Sequence, residues 1–186
     1  MTIYWEQAGH VNTAATAKAA ATRCRELGLT HLVVASNTGA TARHFLGQGL
    51  TVVMVTHHVG FKGPGVDELE PAVRAELAAA GVKILTTTHL FGNVERAVIG
   101  KFGGAYPGAL IAGALRAFGE GTKVCLEIAV MALDAGLIPY GVDVVAVAGS
   151  GGGADTAIVV RPAHARDYFD TWVPEIIAKP RSRERA

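Results

Sequence analysis

The chain has 186 residues, enough for one well-packed domain and too few for two ordinary ones. Half of them are hydrophobic and 18% are charged, which excludes a disordered or low-complexity polymer. The formal net charge is +1. The last eight residues hold Lys179, Arg181, Arg183 and Arg185 against Glu184, a local +3, so the rest of the chain sums to −2 and carries no basic stripe for nucleic acid.

Glycine is abundant, at 23 residues, and aromatics make up 6%, so the core must be built from Val, Ile, Leu and Ala around tight turns. Cys24 and Cys125 have no CxxC spacing and fall in helical patterns, which predicts buried free thiols in a reducing compartment. Met1 to Gln7 lacks a charged leader followed by an apolar run, and no apolar stretch has the length of a membrane span. A cytoplasmic protein with no signal peptide and no membrane partner is expected.

In chain order, Asn12 or Thr13 caps a helix with Ala17, Ala20, Cys24 and Leu27 on one stripe, closed by Gly28. His31 to Ala35 reads as a buried strand, a short helix follows from Ala40 to Leu46, and Leu50 to Thr56 is a second strand. Pro71 opens a helix with Val73, Leu77 and Ala80 on one face, ended by Gly81, and Val82 to Thr86 is a third strand. Asn93 to Phe102 is helical. Pro107 starts another helix, with Ile111, Ala114, Leu115 and Phe118 inward, stopped by Gly119. Thr122 caps a third, with Val124, Ile128, Met131 and Ala135 on its stripe. Val142 to Ala148 and Thr156 to Val160 are strands joined by a loop too short for a parallel crossover, so they must pair antiparallel. A last strand, Val173 to Ala178, carries Pro174, which favours a sheet edge.

Strands that are apolar without alternation are covered on both faces, and helices between them make right-handed crossovers. The expectation is an α/β fold: a three-layer α/β/α sandwich on a mostly parallel sheet with an antiparallel hairpin. It forms one domain over 1–178, followed by a solvated basic tail over 179–186.

Ligands of such sheets collect at the carboxyl ends of the strands, where strand order reverses. The polar and glycine-rich segments fall there: Ser36-Asn37-Thr38-Gly39-Ala40-Thr41; Thr56-His57-His58 with Gly60-Phe61; Thr86-Thr87-Thr88-His89; and Gly149-Ser150-Gly151. The first of these is the sharpest. Backbone amides, the hydroxyls of Ser36, Thr38 and Thr41 and a turn at Gly39 ahead of a helix suit a phosphate, and neutral donors suffice. The spacing has the form of the flavodoxin loop that holds the phosphate of flavin mononucleotide (FMN). Simple helix capping is the competing account.

Other segments carry weaker signals. Gly149-x-Gly151 is followed by a strand, which excludes a Rossmann fingerprint and leaves a mobile loop or a plain turn. Asp155 and Arg161 could form an ion pair or touch a ligand. Glu127 and Asp134 could be acid/base groups, but a solvated or hydrogen-bonded helix edge is the expected reading. His57, His58 and His89 lack metal-ligand spacing, so no metal is expected, and no nucleophile elbow is present.

Three stretches, HLVVASNTGATA, KVCLEIAVMALDAGLIP and VAVAGSGGGADTAIVVRPAH, together resemble stand-alone proteins related to the C-terminal α/β domain of pyruvate kinase. The resemblance implies that domain's fold over nearly the whole chain. It does not imply pyruvate kinase activity, which belongs to a separate barrel domain. In pyruvate kinase the matching loop receives a phosphate of a sugar bisphosphate, and the positions here are Thr38, Gly39 and Thr41; no second Arg-rich clamp is apparent. Stand-alone members are candidates to hold FMN, whose ring would be covered by Phe61, Phe91, Phe102 or Tyr106. The expected ligand is therefore a phosphorylated small molecule, FMN first. It would be gripped by Ser36 to Thr41 and enclosed by Thr56, His57, Gly60, Phe61, Thr88, Gly149 and Gly151. A redox-active flavin would make the protein an oxidoreductase. The alternative is a regulatory module that senses a sugar phosphate or another phosphometabolite, and pyruvate kinase domains of this type pack against copies of themselves, which implies a homo-oligomer.

Overall fold

The computed structural model describes residues 1–92 and 94–184. Seven strands form one sheet: β1 (Ile3–Trp5), β2 (His31–Ala35), β3 (Thr51–Thr56), β4 (Lys83–Thr86), β5 (Val144–Ala148), β6 (Thr156–Arg161) and β7 (Trp172–Pro180). Their order across the sheet is β1-β7-β6-β5-β2-β3-β4. The pairs β2–β3, β2–β5, β3–β4 and β1–β7 are parallel. Strand β6 runs against both neighbours, with Val144 opposite Val160 and Ala148 opposite Thr156. The antiparallel hairpin is therefore present in the expected place.

The described residues form five α-helices, α1 (Thr13–Glu26), α2 (Pro71–Ala79), α3 (Val94–Phe102), α4 (Pro107–Leu115) and α5 (Glu120–Asp134); α1, α2 and α5 pack on the sheet, and α4 packs on α5. Successive strand residues point to opposite faces, and the core divides accordingly. Leu32, Val34, Val52, Met54, Val145 and Val147 pack with Ala17, Ala20 and Cys24 of α1 and Leu77 of α2. Val33, Val53, Val55, Ala146 and Ile158 pack with Cys125, Ile128 and Ala129 of α5. The three-layer α/β/α architecture follows directly. Both cysteines are free and buried, and burial pushes the Cys24 thiol up to about 11.

Several local expectations change. Asn12 precedes α1 but makes no capping bond; its amide donates to Gln7 O and Gly9 O. Leu27, placed on the α1 stripe, is exposed. The segment after β2 is a four-residue 3-10 turn, Ala42–Phe45, and not an α-helix. Helix α4 is apolar on all sides, so periodicity cannot choose its buried face: only Ala112 is buried, and Phe118 beyond its end is exposed. Taken alone, no described helix is long and apolar enough to cross a membrane; α3 and the run Pro107–Phe118 reach that length only together, across a 104° bend.

Strand β1 has no signature in the sequence; it exists because β7 offers it an edge, with Ile3, Tyr4 and Trp5 opposite Ala178, Lys179 and Pro180. Strand β7 thus runs two residues past the boundary expected at Ala178. Beyond it Arg181 N–H donates to Trp5 O and Ala8 N–H to Glu184 O. The basic segment up to Glu184 is tied to the N-terminus and does not hang free; Arg185 and Ala186 lie outside the described residues, as does Asn93. Strand β7 is not an edge strand, since it lies between β1 and β6, but Pro174 sits on the stretch that β1 does not reach and at a register irregularity of the pairing with β6.

Candidate functional site

Chain order reverses at β2: β3 and β4 lie on one side, while β5, reached after three further helices, returns to the other. The crevice beyond the carboxyl ends of β2 and β5 is therefore the switch point at which ligands of such sheets gather. Two loops meet this end of the sheet, residues 36–41 after β2 and 149–154 after β5.

Ser36 N–H donates to Val55 O, extending the β2–β3 ladder by one step and fixing where the first loop departs. From there the amides of residues 37–41 find no protein acceptor among the described residues. Nor are the hydroxyls of Ser36, Thr38 and Thr41 hydrogen-bonded within that set, although Ser36 and Thr41 are buried residues. Thr41 flanks the 3-10 turn without capping it, so the competing account of these hydroxyls as caps is not realised. The 3-10 turn also removes the helix dipole from the expected cradle, which leaves loop amides and hydroxyls as its donors. Gly39 has φ +83°, and a Cβ there would lie 2.7 Å from Leu77 Cδ1 and 2.9 Å from Val73 Cγ1. Glycine is needed at that position for the close approach of α2.

The loop after β3 joins this one through Asn37. Its Oδ1 accepts His57 N–H at 2.9 Å, and its Nδ2 lies 3.3 Å from His57 Nε2. His57 Nδ1 is 2.6 Å from Glu68 Oε1, and Lys62 Nζ is 2.9 Å from the other Glu68 oxygen. Burial pushes the Glu68 carboxyl up, but these hydrogen bonds outweigh it and hold it below its ordinary value. With Nδ1 facing a carboxylate, the ring proton belongs on Nδ1, and Nε2 accepts from Asn37. Phe61 stacks on His57 at 3.7 Å between centroids, and His58 and His89 close the group at 5.3–5.7 Å. The two adjacent histidines share one cluster because β3 has already ended at Thr56. Thr56 and Thr86 join hydroxyls at 2.7 Å across β3 and β4. Gly60 makes a tight turn with its N–H on Val66 O, whereas Thr88 is exposed. Among the described residues, no group of three or more His, Cys, Asp or Glu is arranged to hold a metal ion.

The loop after β5 is built differently. Gly149 is pressed against the Gly153 carbonyl, where a Cβ would sit 2.6 Å away, while Gly151 is exposed. The organiser is Asp155, fully buried. Its Oδ2 accepts Gly9 N–H at 2.8 Å and Ser150 N–H at 3.1 Å, and its Oδ1 accepts the Thr156 hydroxyl. Arg161 pairs with Asp143 and not with Asp155. Among the described residues, no hydrogen bond links this loop to residues 36–41; it is tied to α1 through Ala154 N–H on Thr13 Oγ1.

Glu127 takes the hydrogen-bonded form of the expected helix edge and not the solvated one: its side chain is 6% exposed, Oε2 lies 2.5 Å from Lys123 Nζ, and Oε1 accepts Phe91 N–H. The available signal was the unbroken apolar run on both sides of it, which marks a helix buried nearly all round. Asp134, by contrast, is at an exposed position, beside His164 Nδ1.

The family profile described as "Pyruvate kinase, alpha/beta domain" matches residues 14–160. The chain belongs to that family. Solved structures matched to the chain include a pyruvate kinase from Cryptosporidium parvum, 19% identical with a TM-score of 0.43, over 80% of this chain and 22% of that one. A second structure, the Cryptosporidium parvum pyruvate kinase in complex with ADP, is 18% identical with a TM-score of 0.40, over 90% and 24%. The chain thus spans about a quarter or less of the length of these enzymes. The pyruvate kinase α/β-domain match takes in both switch-point loops and stops short of β7 and the basic segment beyond it.

Proposed function

We propose that the chain binds a phosphorylated small molecule in the crevice beyond β2 and β5, with its phosphoryl group on residues 36–41. One observation carries this reading: at the switch point of the sheet, the amides of 37–41 and the hydroxyls of Ser36, Thr38 and Thr41 have no protein partners among the described residues. Converging unpaired donors in a loop are the arrangement that holds a phosphoryl dianion without a lysine. Asn37 anchors the loop to His57 and so fixes one wall.

FMN is the first ligand to test, because of the Ser-x-Thr-Gly-x-Thr spacing. The ring cover it requires is only partly assembled. Phe61 is linked to the loop through His57, and its face is already stacked on that imidazole. Phe91 packs edge-on against Tyr168, and Phe102 is exposed. A sugar phosphate makes no such demand, and the regulatory alternative rests on that difference.

The test begins with the absorption spectrum of the purified protein and continues with thermal shift and calorimetry against FMN, sugar phosphates and inorganic phosphate. A bound phosphoryl ligand at free concentration L stabilises the folded chain by RT ln(1 + L/Kd), so Tm keeps rising with its concentration. Thr38→Asp sets a carboxylate against the phosphoryl group and should abolish that shift while the circular dichroism spectrum stays unchanged. Equal affinity in the variant removes the loop from the site. A flavin spectrum decides for FMN, and a shift with sugar phosphates alone decides for the sensor.

A further inference from the structure

A cavity of about 320 Å³ is bounded by Arg116, Gly119 and Glu120 ahead of and within α5, by Ser150 of the glycine-rich loop, and by Lys179–Arg183 at and beyond the end of β7. Its charge is one-sided. Arg116 is paired with Glu120 at 2.6 Å, but Lys179, Arg181 and Arg183 have no carboxylate within ion-pair distance among the described residues. Three cationic residues lining one concavity repel one another, and an anion between them relieves that repulsion. The segment that carries them is held there by the backbone bonds of Arg181 to Trp5 and of Ala8 to Glu184, and Arg181 lies over the Tyr4 ring at 4.8 Å. Ser150 supplies an independent sign of a ligand. It is 9% exposed, its amide is used by Asp155, and its hydroxyl has no partner among the described residues while the residue lines the cavity.

We propose that this cavity binds a phosphoryl-bearing polyanion, held by Lys179, Arg181 and Arg183 and oriented by the Ser150 hydroxyl. Guanidinium forks and an ammonium suit phosphoryl oxygens. An excess of three positive charges in so small a volume calls for a dense multiple charge, such as a pyrophosphate group. Three of the four residues lie beyond the segment matched to the pyruvate kinase α/β domain. The site shares no lining residue with the loop at 36–41.

Inorganic pyrophosphate is the probe, titrated calorimetrically into the full chain at fixed ionic strength, with citrate as a polyanion lacking phosphorus. Pyrophosphate should bind and citrate should bind more weakly. Lys179→Ala with Arg183→Ala should weaken pyrophosphate about tenfold or more, and Ser150→Ala, which removes only an oxygen, should weaken it several-fold. Thr38→Asp should keep one equivalent of pyrophosphate at this cavity with wild-type affinity. Absence of binding, equal affinity in the double variant, citrate binding as tightly as pyrophosphate, or complete loss in Thr38→Asp would each overturn the proposal. The last result would assign all pyrophosphate binding to the loop after β2, and so separates failure here from failure there.

Discussion

Asn37 holds both the backbone and the ring of His57, accepting its N–H at 2.9 Å while its amide nitrogen stands 3.3 Å from Nε2. One side chain thereby couples the loop after β2 to the loop after β3 and sets the orientation of the imidazole that Phe61 stacks upon. Asn37→Ala removes two hydrogen bonds and leaves a half-buried N–H unpaired. The expected cost is about 1–3 kcal/mol in urea denaturation. The His57 and Phe61 ring resonances should shift together, and an unchanged ring spectrum would show that the clamp does not orient the cluster.

Asp155 is a buried carboxylate satisfied by two backbone N–H groups and a hydroxyl, with no cation beside it. Asp155→Ala strands all three donors and should cost about 2–4 kcal/mol. Asp155→Asn keeps one oxygen for Gly9 and Ser150, and its amide can donate to Thr156 Oγ1 once that hydroxyl turns. It should stay within about 1 kcal/mol of wild type. Denaturation midpoints of the two variants check the contrast; equal losses would mean that the charge itself, and not the count of acceptors, holds the glycine-rich loop.

The sequence reveals most of this fold because its strands are uninterrupted β-branched runs, and a run such as His31–Ala35 or Val144–Ala148 can only be covered on both faces. What local pattern cannot reveal is structure induced at a distance. Ile3–Trp5 becomes a strand only because residues about 175 positions away present an edge. The basic segment is ordered for the same reason. At the candidate site, the loop residues were visible as hydroxyls and glycines at the end of a strand. The burial of Glu127 was legible in the apolar run around it, whereas the coupling of Asn37 to His57 depends on which strands become neighbours, and no local spacing encodes that.

Gly39 answers two constraints at once, a left-handed φ and the contact of α2. Gly39→Ala should destabilise by about 2–4 kcal/mol, part from the strained φ and part from overlap with Leu77 and Val73. Adding Val73→Ala relieves some of the overlap and none of the strain. The double variant should therefore recover part of the loss, as read from a denaturation cycle; strictly additive losses would remove steric contact as a cause.

Burial holds the His89 imidazole down at about 4 from an ordinary 6.5; Glu127 pulls it up, and His57 and His58 press it further down. The unfolded chain therefore binds this proton more readily than the folded one. The stability that His89 contributes is complete above pH 6.5 and is lost as pH falls toward 4. The ring is partly open to solvent, so the loss is on the order of 1–2 kcal/mol and smaller than the full shift implies. His89→Asn should flatten the fall in stability between those two pH values. An identical fall in variant and wild type would assign the acid sensitivity to other groups.

Lys123 and Glu127 form a buried pair one turn apart on α5, with side chains 11% and 6% exposed. Removing one member leaves the other charge in the interior, so Lys123→Met and Glu127→Gln should each cost about 3–5 kcal/mol. Glutamine keeps an oxygen for Phe91 N–H, which separates the loss of charge from the loss of that bond. The double variant Lys123→Met/Glu127→Gln buries no unpaired charge and retains the Phe91 acceptor. It should therefore be more stable than either single variant, with a coupling energy of about 2–3 kcal/mol. A full denaturant cycle at neutral pH measures this directly. If the two losses simply add, the pair does not act as a unit, and α5 tolerates each charge through contacts other than its partner.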